Sequence, residues 1–248
     1  MHFDQADYDL RCEWGLRGLL ALAPGSDAVV IVDVLSFSTG VDIAVSRGAS
    51  VTPWRWKDGS AKPFAAAKGA VLAEERPDVR RDGAHGYTLS PFSLLSIPAG
   101  TELVLPSPNG STLALSAGGV PVFTACLRNA AAVARHAAAL GQRIAVIPAG
   151  EQWGESELRP CLEDLIGAGS VLAELCGSRS PEAEMAIAAF ARFRLNISGA
   201  LFGCGSGREL VQRGFVMDVE LAAECAVSSA APLIHQGQFI DASKVVAM

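Results

Sequence analysis

Residues 28–35 read Ala-Val-Val-Ile-Val-Asp-Val-Leu, and this run decides the fold class. It is continuously apolar and rich in β-branched residues until it reaches Asp33. Such continuous runs are typical of strands covered on both faces, whereas half-exposed strands alternate between apolar and polar residues. Similar short runs recur at residues 49–53, 69–73, 102–105, 120–124 and 143–148. The sequence therefore predicts a sheet that is buried between two layers.

Helical patterns lie between and after the later strands. They cover residues 129–140, 162–175, 181–193, 207–213 and 218–226. Strands that alternate with helices indicate the α/β class. We predict a three-layer α/β/α fold with a largely parallel sheet, and a mixed sheet stays open. Residues 1–248 are expected to form a single α/β domain, with two interlocked α/β subdomains as the alternative. Loops are predicted at 54–62 and at 77–89, which includes His85.

Composition limits the partners. The net charge is −6, half of the residues are hydrophobic, and lysine and arginine form no run, so we expect no nucleic-acid partner. The N-terminal segment carries charges where a signal peptide needs an apolar stretch, and no apolar run is long enough to span a membrane. We therefore expect a cytoplasmic protein without a membrane partner, and leave a homo-oligomer open. The six cysteines are scattered, which argues against structural zinc.

Ligands of open α/β sheets bind at the carboxyl ends of the strands. Asp33 lies near the end of the first strand, where a buried carboxylate needs a partner or a metal. A helix cap or an ion pair is the alternative for Asp33. Ser36 and Ser38 follow in the next turn, and we predict that they bind substrate.

Two further strands end in polar turns. Asn109, Gly110 and Ser111 precede an apolar helical stretch, so backbone N–H groups there can point at an anion. A simple Asn-Gly hairpin is the alternative. In the second turn, Arg128 could pair with a phosphate or carboxylate, or could be an ordinary surface arginine. Asn129 is a candidate catalytic residue, and equally a natural helix cap.

Acidic residues follow the sixth strand. Glu151 comes directly after it, and Glu163 and Asp164 begin a helix. Together with Asp33 these side chains form an oxygen-rich set suited to Mg²⁺. Favourable interaction with the helix dipole is the alternative for the acids at 163 and 164. Glycines at 167 and 169 inside that helix indicate that another segment packs unusually close.

The order of these motifs is informative. The chain contains Asp-Val-Leu at 33–35, Ser-Pro at 90–91, Asn-Gly-Ser-Thr at 109–112, Leu-Arg-Asn-Ala at 127–130, Leu-Glu-Asp-Leu-Ile-Gly-Ala-Gly at 162–169, and Gly-Arg-Glu-Leu-Val-Gln-Arg-Gly-Phe at 207–215 followed by Asp218. In this order and spacing, the chain resembles the 2-phosphosulfolactate phosphatase family. The resemblance implies an α/β/α fold and Mg²⁺-dependent hydrolysis of the phosphate ester of 2-phospho-3-sulfolactate, a step towards coenzyme M.

Some positions depart from the family pattern. Where the family commonly reads Asp-Val-Leu-Arg-Ala-Thr, this chain has Ser36 in place of the arginine. Ser206 stands where the family's histidine is expected. Arg76 or Arg128 could supply the missing positive charge.

We predict a phosphoric monoester hydrolase that acts on a small phosphorylated or sulfonated acid. The predicted metal ligands of Mg²⁺ are Asp33, Glu163 and Asp164. The predicted catalytic residues are Asp33, Glu75, Glu151 and Asn129, and the predicted substrate-binding residues are Ser36, Ser38, Asn109, Gly110, Ser111 and Arg128. The alternative function is a non-catalytic protein that binds anions on the same scaffold.

Overall fold

A computed structural model describes residues 3–76, 86–154 and 157–245. The strands are β1 (Leu10–Cys12), β2 (Ala28–Val32), β3 (Ser50–Arg55), β4 (Val71–Leu72), β5 (Glu102–Ser107), β6 (Val122–Ala125), β7 (Ile144–Pro148), β8 (Glu151–Trp153), β9 (Glu157–Arg159), β10 (Pro232–His235) and β11 (Gln238–Asp241). The helices are α1 (Gly15–Leu22), α2 (Phe37–Ser46), α3 (Ala61–Lys68), α4 (Gly110–Ala114), α5 (Ala130–Ala138), α6 (Leu162–Ala173), α7 (Pro181–Phe193), α8 (Ile197–Gly203), α9 (Gly205–Gln212), α10 (Val216–Ala223) and α11 (Ala242–Val245).

Nine of the strands form one sheet in the order β1-β7-β2-β6-β10-β11-β3-β5-β4. The strands β1, β7, β2 and β6 are parallel to one another. The strands β3, β5 and β4 form a second group that is parallel within itself. The hairpin β10–β11 lies between these two groups and pairs antiparallel with β6 and with β3. The predicted α/β class with a largely parallel sheet is confirmed, and the sheet is mixed.

Alternate residues of β2 belong to opposite faces of the sheet. Val30 and Val32 pack in one hydrophobic core with residues of α5, α6 and α7. Val29 and Ile31 pack in a second core with residues of α1, α2 and α4. All of β2 is buried, which explains why its sequence is continuously apolar. The sheet thus lies between two helical layers.

The glycines of α6 mark close contacts, as the sequence predicted. A Cβ at Gly167 would lie 2.6 Å from Cγ2 of Val34, just after β2. A Cβ at Gly169 would lie 1.9 Å from the carbonyl oxygen of Ala186 in α7. Both distances are shorter than van der Waals contact, so only glycine lets α6 approach the strand on one side and α7 on the other.

One of the two predicted loops needs correction, and most of the other lies outside the described residues. The loop at 54–62 is shorter than expected, because Trp54 and Arg55 continue β3 and α3 begins at Ala61. His85 and most of the loop at 77–89 lie outside the described residues. Between 3 and 245, in the three described ranges, no single helix is long and apolar enough to cross a membrane, and α7 and α8 meet those criteria only as a pair bent by 105°.

Candidate active site

A cavity of about 630 Å³ lies at the carboxyl ends of the strands. Asp33 follows β2, Asn109 follows β5, and Glu151 follows β7 and begins β8. The predicted site residues that line this cavity are Asp33, Ser36, Glu75, Asn109 and Glu151. The strands β2 and β7 are parallel and both end at the cavity, as the carboxyl-end rule predicts. The strand β5 belongs to the oppositely directed group beyond the β10–β11 hairpin, and its carboxyl end reaches the cavity as well.

Two backbone N–H groups, one from its own turn and one from the turn after β5, hold the Asp33 carboxylate. The Gly110 N–H donates to Oδ2 of Asp33 at 2.9 Å, and the Phe37 N–H donates to Oδ1 at 3.3 Å. Burial raises the pKa of Asp33 to about 6, while these two amides oppose the rise and the nearby charge of Glu163 adds to it. The side chain is 6% exposed and reaches the cavity.

Glu151 is oriented by Asn109. The Nδ2 of Asn109 donates to Oε2 of Glu151 at 2.9 Å. Burial, and then the charge of Asp33, raise the pKa of Glu151 to about 7 against the opposing effect of the hydrogen bond from Asn109. A carboxyl group with this pKa exchanges protons near neutral pH, which suits a general acid or base.

Arg76 provides positive charge to the cavity. Its Nη2 donates to Oγ of Ser36 at 2.6 Å and pairs with Oδ2 of the buried Asp218 at 3.1 Å. Its guanidinium lies over the ring of Phe215, with 5.2 Å between the guanidinium carbon and the ring centroid. Within the described residues, the buried Nε of Arg76 has no hydrogen-bond acceptor. Of the two arginines proposed to replace the family's residue at 36, Arg76 is the one that lines the cavity.

Asp164 clamps two strand ends together. Its Oδ1 accepts from the Val34 N–H and its Oδ2 from the Gly150 N–H, both at 2.8 Å. Burial, with the charges of Asp33 and Glu163, raises its pKa well above the usual range. Each oxygen accepts from one backbone donor, so Asp164 holds the turns after β2 and β7 together.

The predicted metal ligands are near one another but are not arranged as a closed shell. Glu163 is 2% exposed and close enough to Asp33 for its charge to raise that pKa. Neither Glu163 nor Asp164 lines the cavity. In the described part of the chain, no group of three or more His, Cys, Asp or Glu side chains is arranged to hold a metal ion. The structure thus does not present Asp33, Glu163 and Asp164 as one three-ligand site.

Several predicted substrate-binding residues lie beneath the cavity wall. Ser38 is fully buried, and its Oγ accepts from the Asp33 N–H. Ser111 is fully buried and its Oγ donates to the Leu105 carbonyl. The Gly110 N–H binds Asp33 instead of being free for an anion. These three residues shape the site from below and do not line it.

Arg128 and Asn129 lie elsewhere. Arg128 pairs with the buried Asp42 through Nε at 2.9 Å and also contacts Glu224 through Nη1. Asn129 is 1% exposed, precedes α5 as its N-cap residue, and accepts the Cys126 N–H through Oδ1. Neither residue lines the cavity, because each is bound into the turn that connects β6 to α5.

One wall of the cavity contains no residue that the sequence predicted as a site residue, although Ser206 was named as a departure from the family pattern. Trp153 and Arg159 come from the two-stranded β8–β9 hairpin, and Ser206 and Arg213 from α9 or its end. The strands β8 and β9 have three residues each, too few to produce a recognisable alternating pattern. The acidic and aromatic residues next to Glu151 were the available signal.

Fold and cavity define a class: an α/β protein with two proton-exchanging carboxyl groups and an arginine at the carboxyl ends of its strands. Residues 21–237 match the sequence model of the family described as 2-phosphosulpholactate phosphatase. A 2-phosphosulfolactate phosphatase from Methanothermobacter thermautotrophicus is 27% identical over 214 residues, which are 86% of this chain and 89% of that protein. The chain belongs to the 2-phosphosulpholactate phosphatase family, whose members are phosphoric monoester hydrolases.

Proposed function

We propose that this chain is a Mg²⁺-dependent phosphatase that hydrolyses the phosphate monoester of a small acid such as 2-phospho-3-sulfolactate. The observation that carries the proposal is the pairing of Asp33 and Glu151 in one cavity with Arg76. Anion-binding groups and proton-exchanging groups both assist monoester hydrolysis, and this cavity brings them together. Family membership supports the same reaction class.

The ester phosphate would bind beside Arg76. A guanidinium is a strong donor to phosphate oxygens, and its charge is fixed at physiological pH. Arg76 already forms an ion pair with Asp218, but its Nε has no hydrogen-bond acceptor within the described residues. Ser36 adds a hydroxyl that takes part in the same hydrogen-bond network. These donors would orient the phosphorus towards Asp33 and Glu151.

Glu151 is our candidate for the general base. Its carboxylate would accept a proton from the water whose oxygen attacks phosphorus, while the phosphorus–oxygen ester bond breaks and the alcohol leaves. The departing alkoxide oxygen takes a proton from solvent and Glu151 returns its proton to solvent, so that alcohol and phosphate are the products. A pKa of about 7 allows both transfers near neutral pH. The hydrogen bond from Asn109 keeps the carboxylate in one orientation.

The donor set also fits Mg²⁺. This ion needs only one or two carboxylates, because water and substrate phosphate complete its octahedral shell. Asp33, with the buried Glu163 next to it, would hold the ion. A cation would offset the burial that raises the pKa of Asp33 and the smaller contribution from the charge of Glu163. When bound, Mg²⁺ neutralises phosphate charge and polarises the phosphoryl oxygen.

The substrate assignment follows the relative's name. That relative acts on 2-phosphosulfolactate by its name, and the cavity here has the size and charge for a small polar acid. Ser36 and Ser206 replace an arginine and a histidine of the family pattern, so related phosphorylated hydroxy acids belong in any substrate panel.

Phosphate release tests the proposal directly. Purified protein would be incubated with 2-phospho-3-sulfolactate, 2-phospholactate and 2-phosphoglycolate, with Mg²⁺ and with excess EDTA. We expect release in Mg²⁺ and loss of most of it in EDTA, and Asp33→Asn serves as the inactive control. Unchanged release in EDTA would contradict the Mg²⁺ requirement alone. An increase in melting temperature with these ligands, but no turnover of any of them, would favour the non-catalytic anion-binding alternative.

A further inference from the structure

A second arginine of the cavity, Arg159, is positioned by neutral partners. Its Nη2 donates to Oγ of Ser206 at 3.1 Å. Its guanidinium lies over the ring of Trp153, with 5.5 Å between the guanidinium carbon and the ring centroid. Arg159 stands directly opposite Glu151 in the β8–β9 hairpin, so both side chains leave the same face. The guanidinium is therefore held beside the proposed general base.

The charge of Arg159 differs from that of the other cavity arginines. Arg76 pairs with Asp218 at 3.1 Å, and Arg213 pairs with Glu209 at 3.2 Å. Among the described residues, Arg159 has no ion pair and is partly buried. A hydroxyl and an aromatic face orient a guanidinium without neutralising it. Within the described ranges, Nη2 is the one nitrogen of Arg159 with a hydrogen-bond acceptor, and no carboxylate forms an ion pair with its guanidinium, so the group can still bind an anion in the cavity.

The start of α9 fixes where this guanidinium lies. A Cβ at Gly205 would lie 3.4 Å from Nη1 of Arg159, so the guanidinium packs against the backbone at that point. Ser206 is 5% exposed, and its hydroxyl also contacts Sγ of Cys161. Since the anchoring hydroxyl is itself buried and fixed, the position of Arg159 is set before a ligand binds.

The two arginines act on different carboxyl groups. Arg76 is close enough to Asp33 for its charge to lower that pKa, whereas the charge of Arg159 lowers the pKa of Glu151. An anion at Arg76 is therefore next to Asp33, and an anion at Arg159 lies on the side of Glu151. A substrate with two acidic groups could contact both arginines and keep its ester bond between them.

We propose that Arg159, oriented by Ser206 and Trp153, binds the second acidic group of the substrate and so selects phosphorylated acids over simple alkyl phosphates. This inference rests on the proposed function, which locates the phosphate at Arg76. The second group is a carboxylate or a sulfonate, because both present coplanar or near-coplanar oxygen pairs to a guanidinium fork. Arg159 is then a specificity-determining residue, while Glu151 and Asp33 serve the reaction itself.

Four phosphate monoesters separate the two kinds of acidic group. Ethyl phosphate has no second acidic group, 2-phosphoglycolate has a carboxylate, O-phosphoisethionate has a sulfonate, and 2-phospho-3-sulfolactate has both. The values of kcat/KM would be measured for the native protein, for Arg159→Gln and for Arg159→Lys. Arg179→Gln is the control, since Arg179 pairs with Glu184 away from the cavity. Thermal melting would verify that each variant is folded.

We expect Arg159→Gln to lower kcat/KM by about 10- to 100-fold for the substrates that carry the recognised group, which is the usual effect of losing a charged hydrogen bond. At alkaline pH, where Glu151 is ionised with or without Arg159, ethyl phosphate would change less than about twofold. Arg159→Lys would recover part of the loss. A fall in kcat/KM for 2-phosphoglycolate identifies the recognised group as the carboxylate, and a fall for O-phosphoisethionate identifies it as the sulfonate. An equal fall for all four monoesters, or no fall for any, would overturn the assignment.

A binding measurement separates this inference from the proposed function. Calorimetric titration of 3-sulfolactate, 3-hydroxypropanesulfonate and glycolate requires no turnover. We expect Arg159→Gln to weaken binding of the acid that matches the kinetic result by about 10-fold or more, and Ser206→Ala to weaken it less. Binding that is the same in the native protein and in Arg159→Gln would exclude the subsite even if turnover is present. Absent turnover with intact Arg159-dependent binding would reject the phosphatase and keep the subsite.

Discussion

The Nδ2 of Asn109 donates a 2.9 Å hydrogen bond to Oε2 of Glu151 and so joins the ends of β5 and β7 across the cavity. The bond lowers the pKa of Glu151, while burial and the charge of Asp33 raise it to about 7. The balance leaves a carboxyl group that titrates near neutral pH at the place where the substrate would bind. Glu151 and its neighbours therefore offer the most direct tests.

Replacement of Glu151 by glutamine is expected to lower kcat by about 10²- to 10⁴-fold, the usual contribution of a general acid or base. Glutamine keeps the size of the side chain and an oxygen for the Asn109 donor, so binding of substrate should change little. Steady-state phosphate release would measure both parameters. Glu157→Gln, an exposed position in the same hairpin, is the control and should retain native activity. A Glu151→Gln protein with native kcat would exclude Glu151 as the base.

Asn109→Leu is expected to move the acidic limb of the pH profile of kcat/KM to higher pH. The substitution removes the hydrogen bond that lowers the pKa of Glu151 and leaves burial and the Asp33 charge unopposed. The profile of kcat/KM reports the pKa of the free enzyme's essential group. Thr112→Val, in the helix that follows Asn109, is the control and should leave this limb in place, because within the described ranges the Thr112 side chain forms no hydrogen bond with Glu151. An unmoved limb in Asn109→Leu would mean that another group controls it.

Glu151→Gln should also change stability, in a pH-dependent direction. The pKa of Glu151 rises from the usual 4.5 to about 7 in the folded protein. The protonated carboxyl group is thus favoured by folding, and this contribution is complete below 4.5 and lost as the pH rises through 7. The variant has no such loss, so its melting temperature should exceed that of the native protein by about 3 °C or more above neutral pH. The two proteins should converge in acid, and a constant difference at every pH would contradict this linkage.

The α/β class and the edge of the sheet where the candidate site lies could be predicted from the sequence, because both depend on local patterns. Continuous β-branched runs mark β2 and β7, and Asp33 and Glu151 follow these strands directly. The insertion of β10 and β11 between β6 and β3 could not be read, since it depends on pairing between segments far apart in the chain. The sequence also could not predict which side chains of a turn face the cavity. Ser36 reaches the cavity and Ser38 does not, although only one residue separates them.

Gly110→Ala is expected to displace the Asp33 carboxylate from its hydrogen bond with the Gly110 N–H, through steric overlap alone. A Cβ at this position would lie 2.2 Å from Cδ1 of Phe37 and 2.9 Å from Oδ2 of Asp33. The ring must shift and the Gly110 N–H must leave the carboxylate, which should destabilise the protein by about 1–3 kcal/mol and reduce activity. Urea unfolding and phosphate release would measure the two effects. Gly119→Ala is the control, because nothing lies within 4 Å of its added Cβ.

The Arg76–Asp218 pair should separate stability from activity. Asp218 is 1% exposed and also accepts from Oγ of Ser90 and from the Phe92 N–H. Arg76→Gln would leave this buried carboxylate without its cation, which typically costs about 3–5 kcal/mol. It would also remove the proposed phosphate donor, so both the unfolding free energy and kcat/KM should fall.

A second substitution, Asp218→Asn, removes the uncompensated charge and keeps an oxygen for the Ser90 and Phe92 donors. The double variant Arg76→Gln/Asp218→Asn should therefore regain most of the lost unfolding free energy, since replacing both members of a buried pair costs far less than removing one. Its activity should stay low, because no guanidinium is restored beside Ser36. Recovery of activity together with stability would show that Arg76 supports the fold and does not bind phosphate. Recovery of stability alone would separate the two roles of the same side chain: an ion pair that holds Arg76 in place, and a cationic group that faces the substrate.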